Sequence, residues 1–152
     1  MGCECYFYVR YKQKNEWKPL PLFKEADNDK GYENLYFWLC GYDVYEIVKK
    51  YFKVMTDEKE RLDFAYNELH DDEYNEGHAE EILNNNEFPM YEVTLSYLKW
   101  RTFDPIEDDD DMGQYEVDTL KRIVSRVDAM VELADMEYFH PDNIKIMCYA
   151  SY

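Results

Sequence analysis

Glycine and histidine are scarce in this sequence, and this scarcity argues against many of the well-known active-site motifs. With five glycines among 152 residues, there is no Gly-rich phosphate loop, dinucleotide-binding fingerprint, nucleophile elbow or zinc-protease helix motif. His70, His78 and His140 are the only histidines, so a His-based acid/base pair has few possible members. His70-Asp71-Asp72 resembles part of a metal phosphohydrolase site, but the other ligands are missing. The sequence therefore does not favour an enzyme, and it assigns no catalytic residue.

Long apolar runs are also lacking. No stretch of about 18 apolar residues is present, and no charged-then-apolar leader opens the chain. We therefore expect a cytoplasmic protein that does not contact a membrane.

Cysteine is sparse and widely spaced. The four cysteines, Cys3, Cys5, Cys40 and Cys148, are expected to be reduced thiols in the cytosol. Cys3 and Cys5 share one face of a predicted strand, and Cys148 joins them if the terminal strands pair. Their spacing is not that of a zinc finger, so we expect buried thiols, with no metal and no cofactor.

Basic side chains are few compared with acidic ones. There are 17 Lys and Arg residues against 34 Asp and Glu residues, which gives a formal charge of -17. This charge opposes direct binding to nucleic acid or to an anionic membrane. It favours a basic protein surface or a cation as partner, or it serves solubility alone.

The negative charge is concentrated in the middle of the chain. Residues 57–116 contain four basic and 20 acidic side chains, and repulsion at this density destabilises a compact state unless a counter-charge arrives. The segment is therefore predicted to be a docking face, with a charge density that approaches that of duplex DNA. The candidate partner-binding residues are Asp71, Asp72, Glu73, Glu76, Glu80, Glu81, Glu107, Asp108, Asp109, Asp110 and Asp111.

A calcium loop is the alternative interpretation of the run that begins at Asp108. An EF-hand is rejected, because Met112 occupies a ligand position and Thr119 stands where a bidentate Glu is required.

Tyrosine is abundant, with 16 residues, and it suits binding surfaces because it offers a large contact area at low entropic cost. The alternative is that the tyrosines only cover a half-buried sheet. The tyrosines expected to be partly exposed are Tyr6, Tyr8, Tyr36, Tyr42, Tyr74, Tyr91, Tyr97 and Tyr149. Of these, Tyr74, Tyr91 and Tyr97 are candidate aromatic contacts with the partner.

Alternating apolar residues predict strands at both ends of the chain, over residues 3–11 and 144–150. Pro19 and Pro21 restrict residues 17–23 to an edge strand or an extended loop. Residues 88–93 are predicted to be a strand or an extended segment, whereas the apolar run 35–40 fits either a strand or a helix.

Helical spacing predicts a helix that starts with a capping pair, Asp43 and Glu46, and a second helix over residues 57–69 with Leu62 inward. Thr94 is predicted to cap a helical turn that carries Leu95 and Leu98. The longest helix is predicted over residues 115–136, with an apolar stripe that Leu133 widens. A stripe of this width normally packs on a sheet, and a coiled-coil dimer is the alternative.

Together these elements predict one α+β domain over residues 1–152. Its small mixed or antiparallel sheet includes both terminal strands. The long C-terminal helix covers one face, with two or three shorter helices, and the other face is wet and aromatic.

Four segments, MGCECYFYVRY, CGYDVYEIV, TLSYL and NIKIMCYAS, together resemble a group of small, uncharacterised, acidic phage and prophage proteins. The resemblance covers the outline of the chain and lends no catalytic residue. It implies a context in which small acidic proteins inhibit host nucleic-acid machinery or defence systems.

The leading hypothesis is therefore a phage-type inhibitor that competes, as a mimic of nucleic acid, for the basic surface of a nucleic-acid-binding protein. A CRISPR effector or another defence nuclease is the expected target. One alternative is a domain that sequesters a nucleotide or another small molecule in a pocket lined by tyrosines of the sheet. Another is a structural phage component that forms a homodimer or larger oligomer through the long helix.

Overall fold

The computed structural model describes residues 3–20, 36–64, 90–103, 113–134 and 140–151. Within these residues the chain forms six strands, four α-helices and one 3-10 turn. In chain order they are β1 (Glu4–Gln13), β2 (Glu16–Pro19), β3 (Tyr36–Cys40), α1 (Tyr42–Tyr51), β4 (Lys53–Val54), α2 (Glu58–Phe64), β5 (Met90–Thr94), α3 (Leu95–Phe103), α4 (Gln114–Leu133), the 3-10 turn (Pro141–Asn143) and β6 (Ile144–Ser151). The ends predicted for the second and the longest helix, residues 65–69 and 135–136, lie outside the described residues.

The two terminal strands pair at the centre of an antiparallel sheet. β1 and β6 are in register from Glu4 opposite Ser151 to Tyr11 opposite Ile144. The strand order is β2-β1-β6-β5-β4, and β3 pairs with β1 beyond the end of β2. The predicted α+β class, with both terminal strands in one sheet, is confirmed.

The β1–β2 hairpin turns through Lys14 and Asn15, which both have positive φ angles of 51° and 65°. Positive φ at both central residues matches the right-handed twist of the two flanking strands, and Asn tolerates it well. β2 ends at Pro19 and, in the described part of the chain, pairs only with β1. Of the segment 17–23, which was predicted to be an edge strand or an extended loop, residues 17–19 form an edge strand of the described sheet, and residues 21–23 lie outside the described residues.

The predicted capping box of α1 is wrong. The N-cap residue is Gly41, which has a φ of +121° and makes no side-chain cap. Asp43 instead lies in the first helical turn, where its carboxylate faces the positive end of the helix dipole. Gly41 is needed because its backbone angle is strained for residues with a Cβ atom.

The main core lies on the face of the sheet that is formed by Cys5, Phe7 and Val9 and covered by α1, α3 and α4. The buried stripe of α4 consists of Thr119, Leu120, Ile123, Val124, Val127, Met130 and Val131. Leu133 was expected to widen this stripe but is 68% exposed. Since the stripe is buried within one chain, it is not available to a coiled-coil partner. None of the described helices combines the length and the apolar character needed to cross a bilayer.

Among the described elements, the short helix α2 covers part of the opposite face. Phe64 packs edge-on against Tyr8, with ring centroids 5.2 Å apart, and joins Met55, Met90 and Met147 in a second apolar cluster. Leu62 was expected to point inward, but it is 40% exposed. Among the described residues, the exposed aromatic rings of this face, Tyr36 and Trp38, lie outside the part that α2 covers.

Two buried cations fix α2 to the sheet. Arg10 in β1 is 2% exposed, and its Nη1 lies 2.6 Å from an oxygen of Asp63. Lys145 in β6 lies 2.9 Å from Glu60 and 3.1 Å from Glu92. Buried charges are tolerated when paired in this way, and the aliphatic stems of both side chains extend the apolar surface.

Thr94 joins β5 directly to α3, as predicted. Its Oγ1 accepts a hydrogen bond of 3.3 Å from the backbone N–H of Tyr97, which satisfies one of the free donors of the first turn. Leu95 and Leu98 are buried, so the other side of α3 faces outward.

We expect Ile123→Ala to lower the free energy of unfolding by about 2–5 kcal/mol, because it leaves a cavity in the core. Leu133→Ala in the same helix is the control and should change it by less than about 0.5 kcal/mol. Urea denaturation of both variants measures the difference. Equal effects would mean that the stripe of α4 is not buried in the isolated chain.

Candidate protein-binding surfaces

All eleven predicted acidic contact residues lie outside the described residues. These are Asp71, Asp72, Glu73, Glu76, Glu80, Glu81 and Glu107 to Asp111, and the candidate contact Tyr74 lies outside as well. The structural information about this predicted docking face therefore comes from the described residues that flank these segments in the sequence.

The charge of the chain divides unequally between the described residues and the rest. The 95 described residues contain 15 basic and 14 acidic side chains, a formal charge of +1. The other 57 residues contain two basic and 20 acidic side chains, a formal charge of -18. The folded framework is thus nearly neutral, and the acidity resides in the segments that join its elements.

Several cations of the framework are already paired within it. Besides Arg10 and Lys145, Lys50 lies 3.2 Å from Glu116 and Lys99 lies 3.0 Å from Asp128. A cation held by one carboxylate is less able to neutralise a second. Four basic side chains of the described framework are thus already held by described carboxylates.

The outer side of α3 exposes three aromatic residues. Tyr97, Trp100 and Phe103 are 41%, 44% and 58% exposed, and we call them the helix patch. The rings of Tyr97 and Trp100 contact each other at 5.8 Å between centroids. Arg101 places its guanidinium over Trp100 and over Tyr51, which anchors the patch to α1.

In the sequence, the helix patch is followed immediately by one of the acidic segments. Phe103 is followed by Asp104, and the run from Glu107 to Asp111 ends shortly before α4, where Tyr115 is 52% exposed. Because α3 and α4 pack against each other, exposed aromatic rings lie on rigid helices at both ends of the acidic run. Sequence reasoning named Tyr97 but missed Trp100, Phe103 and Tyr115. The sequence signal that could have identified them is that they lie outside the apolar stripes of their helices.

The tyrosine predictions are partly confirmed. Tyr36, Tyr42 and Tyr97 are exposed, and Tyr6 and Tyr149 are half-buried. Tyr8 and Tyr91 were expected to be exposed, but they are 7% and 5% exposed. Tyr8 is covered by Phe64 of α2, and Tyr91 contacts Tyr45 beneath α1 with 3.4 Å between the hydroxyl oxygens. Tyr91 is thus part of the core.

A second group of exposed rings lies on the opposite face of the sheet, where β1 pairs with β3. Tyr6 stands opposite Trp38, and Tyr36 contacts Tyr6 and Trp38 at centroid distances of 5.8 and 6.2 Å. We call Tyr6, Tyr36 and Trp38 the sheet patch. The Tyr6 hydroxyl donates a hydrogen bond to Glu4, and this bond raises the pKa of Tyr6 to about 12.

The thiols cluster as expected. Cys3, Cys5 and Cys148 are fully buried, while Cys40 is exposed. Burial raises the pKa of Cys3 to about 11 and the pKa of Cys148 well above its usual value, so both remain protonated at neutral pH. No group of three or more Cys, His, Asp or Glu side chains in the described part of the chain is arranged to hold a metal ion.

Two open clefts are formed by described residues. One, of about 600 Å³, lies between α2 and the β1–β2 hairpin and includes Arg10, Trp17 and Asp63. The other, of about 560 Å³, lies between α1 and the start of α4 and includes Lys50 and Glu116. Neither is lined by a tyrosine of the sheet, so neither supports the alternative of a tyrosine-lined pocket for a small molecule.

The chain matches no protein-family model, no curated protein and no solved structure. The protein is therefore classified by its structure. The described residues form a small α+β fold with a nearly neutral framework and two aromatic patches on opposite faces, and the segments between them in the sequence are acidic.

The raised pKa of Tyr6 predicts a loss of stability at high pH. The folded protein holds the phenol proton more tightly than the unfolded chain, whose tyrosine titrates near 10. The hydrogen bond therefore stabilises the fold below pH 10, and this contribution is lost as the pH rises towards 12.

Glu4→Gln should remove most of this effect, because it replaces the charged acceptor. The measurement is the phenolate absorbance of the wild type, of Glu4→Gln and of Tyr6→Phe between pH 9 and 12. If the wild type and Glu4→Gln titrate identically, the hydrogen bond does not control Tyr6.

Proposed function

We propose that this chain is a phage-type inhibitor that binds the basic surface of a host nucleic-acid-binding or defence protein. The acidic run from Glu107 to Asp111 and the carboxylates between Asp71 and Glu81 meet that surface and compete with nucleic acid for it. A CRISPR effector or another defence nuclease is the target class that the resemblance to phage proteins implies.

The observation that carries the proposal is the position of the acidic run between exposed aromatic rings. Phe103 precedes it and Tyr115 follows it, on two helices that pack against each other. Protein interfaces are enriched in aromatic residues and owe much of their binding energy to a few of them. A charged segment that serves only solubility needs no such flanking rings.

The division of charge supports the same conclusion. The described framework carries nearly equal numbers of basic and acidic side chains, a formal charge of +1. The remaining residues carry -18, which repels nucleic acid and attracts the surfaces that bind it.

The proposed mechanism separates two contributions. The acidic segments accelerate encounter through long-range attraction, which weakens as salt shortens the Debye length to about 8 Å at physiological ionic strength. The helix patch then slows dissociation, because Trp100 and Tyr97 bury apolar area at low entropic cost. The partner loses access to nucleic acid by steric and electrostatic competition.

The first test is capture of a partner from bacterial lysate at low and high salt, followed by competition with duplex DNA. We expect the captured protein to bind nucleic acid, and excess DNA to displace it from this chain. Capture of proteins that do not bind nucleic acid, or complexes that DNA leaves intact, would contradict the proposal.

The second test is mutational and uses the captured partner. We expect Trp100→Ala to weaken binding by about 2 kcal/mol, the size of an interface hot spot. Neutralising Asp108 to Asp111 as asparagines should mainly slow association and flatten its dependence on salt.

The matched control makes the same change of four charges on the framework, at Asp43, Glu58, Asp118 and Glu132, which are all exposed. Association rates measured by surface plasmon resonance distinguish the two sets. Equal slowing by both would mean that net charge acts without a defined docking site.

A further inference from the structure

The sheet patch has the geometry of an open receptor for a cation. Trp38 and Tyr36 are 55% and 46% exposed, and both project from the same face of β3. Tyr36 meets Tyr6 nearly edge-on, at 68°, and is tilted by 47° to Trp38. The rings therefore do not stack into one closed layer, and π faces remain open to solvent.

A carboxylate completes this arrangement. Glu4 lies next to Tyr6 on the same face of β1, diagonal to Trp38, and it accepts the hydrogen bond of the Tyr6 hydroxyl. That bond occupies one oxygen, and a carboxylate has acceptor sites on both. Aromatic faces around a carboxylate are a favourable environment for a positively charged group.

The cations of the framework lie elsewhere. In the described part of the chain, Lys or Arg groups lie over Trp17, Phe37, Tyr45, Tyr51 and Trp100, and none lies over Tyr36 or Trp38. Arg10 and Lys145, the buried cations of this face, are held by carboxylates further along the strands. The sheet patch is thus an aromatic surface with a negative charge and without a described cation of its own.

We propose that the sheet patch binds an arginine side chain of a partner protein. Arginine fits better than lysine, because its planar guanidinium stacks on a ring while its N–H groups remain free to bond a carboxylate such as Glu4. The net charge of -17 favours a basic partner and opposes a second copy of this chain on the same surface.

This site is separate from the function proposed above. The helix patch belongs to α3, which packs on the core face of the sheet, whereas the sheet patch lies on the opposite face. The two surfaces therefore face in different directions, and arginine binding at the sheet patch requires neither the acidic run nor a nucleic-acid-binding partner.

The test is an NMR titration with the peptide acetyl-Gly-Arg-Gly-Arg-Gly-amide. The control peptide carries citrulline, a neutral isostere, in place of both arginines. We expect the arginine peptide to shift the indole N–H resonance of Trp38 and to bind about tenfold more tightly than the citrulline peptide.

Trp38→Ala should weaken binding of the arginine peptide by a similar factor, whereas Leu133→Ala, at 68% exposure at the end of α4 and outside both patches, should leave it unchanged. Trp38→Phe keeps an aromatic ring and should retain intermediate affinity, which separates loss of the site from loss of the fold. The variant with asparagines at Asp108 to Asp111 should still bind the peptide. A failure of the acidic-run hypothesis can therefore be distinguished from a failure of the proposed arginine site.

Three results would overturn the proposal. Equal binding of the citrulline peptide would show that charge is not recognised, and unchanged affinity in Trp38→Ala would place the site elsewhere. Trp38 shifts that depend on protein concentration before any peptide is added would mean that a second copy of the chain occupies the patch.

Discussion

The antiparallel pairing of β1 with β6 is the constraint on which the rest of the structure depends. It joins the two ends of the chain along eight residue pairs at the centre of the sheet, and both neighbouring sets of strands attach to it. The register sets Cys148 diagonal to Cys5, Lys145 opposite Arg10, and Tyr149 opposite Tyr6. A slip by one residue would exchange the two faces and bury the polar side chains in the main core.

The parts of the fold that could be predicted from the sequence are those with a local pattern of apolar and polar residues. Period-two alternation in residues 3–11 and 144–150 and helical periodicity in α4 are local signals, and the structure confirms them. The direct passage from β5 to α3 was readable from Thr94 for the same reason. Local sequence patterns do not show which element packs on each face of the sheet.

The errors follow from that limit. Tyr8 was expected to be exposed but is buried because Phe64 of α2 lies over it, and Glu60 and Asp63 on that helix pair with the buried cations Lys145 and Arg10. No pattern within β1 or β6 reveals those distant carboxylates. Leu133 is exposed because it falls off the edge of the stripe at the end of α4, where the described helix finishes. Of the candidate site, Tyr97 was predictable by residue type, whereas the other exposed rings depend on which side of each helix the core covers.

The charge of the chain is distributed unevenly between the described framework and the remaining residues. Within the framework, short ion pairs hold several basic side chains, including Arg10, Lys50 and Lys145. The framework has a formal charge of +1, whereas the whole chain carries -17.

In the proposed binding mode, the acidic segments and the aromatic patches respond differently to salt. Attraction by the acidic segments acts over a Debye length and fades as ionic strength rises, whereas contact with an exposed ring acts only at van der Waals distance and is largely insensitive to screening. A partner engaged through carboxylates alone would be lost in salt. We propose that rings on α3 and β3 retain a partner after the charges have guided it, because the positions of these rings are set by the core beneath them and not by the charge of the chain.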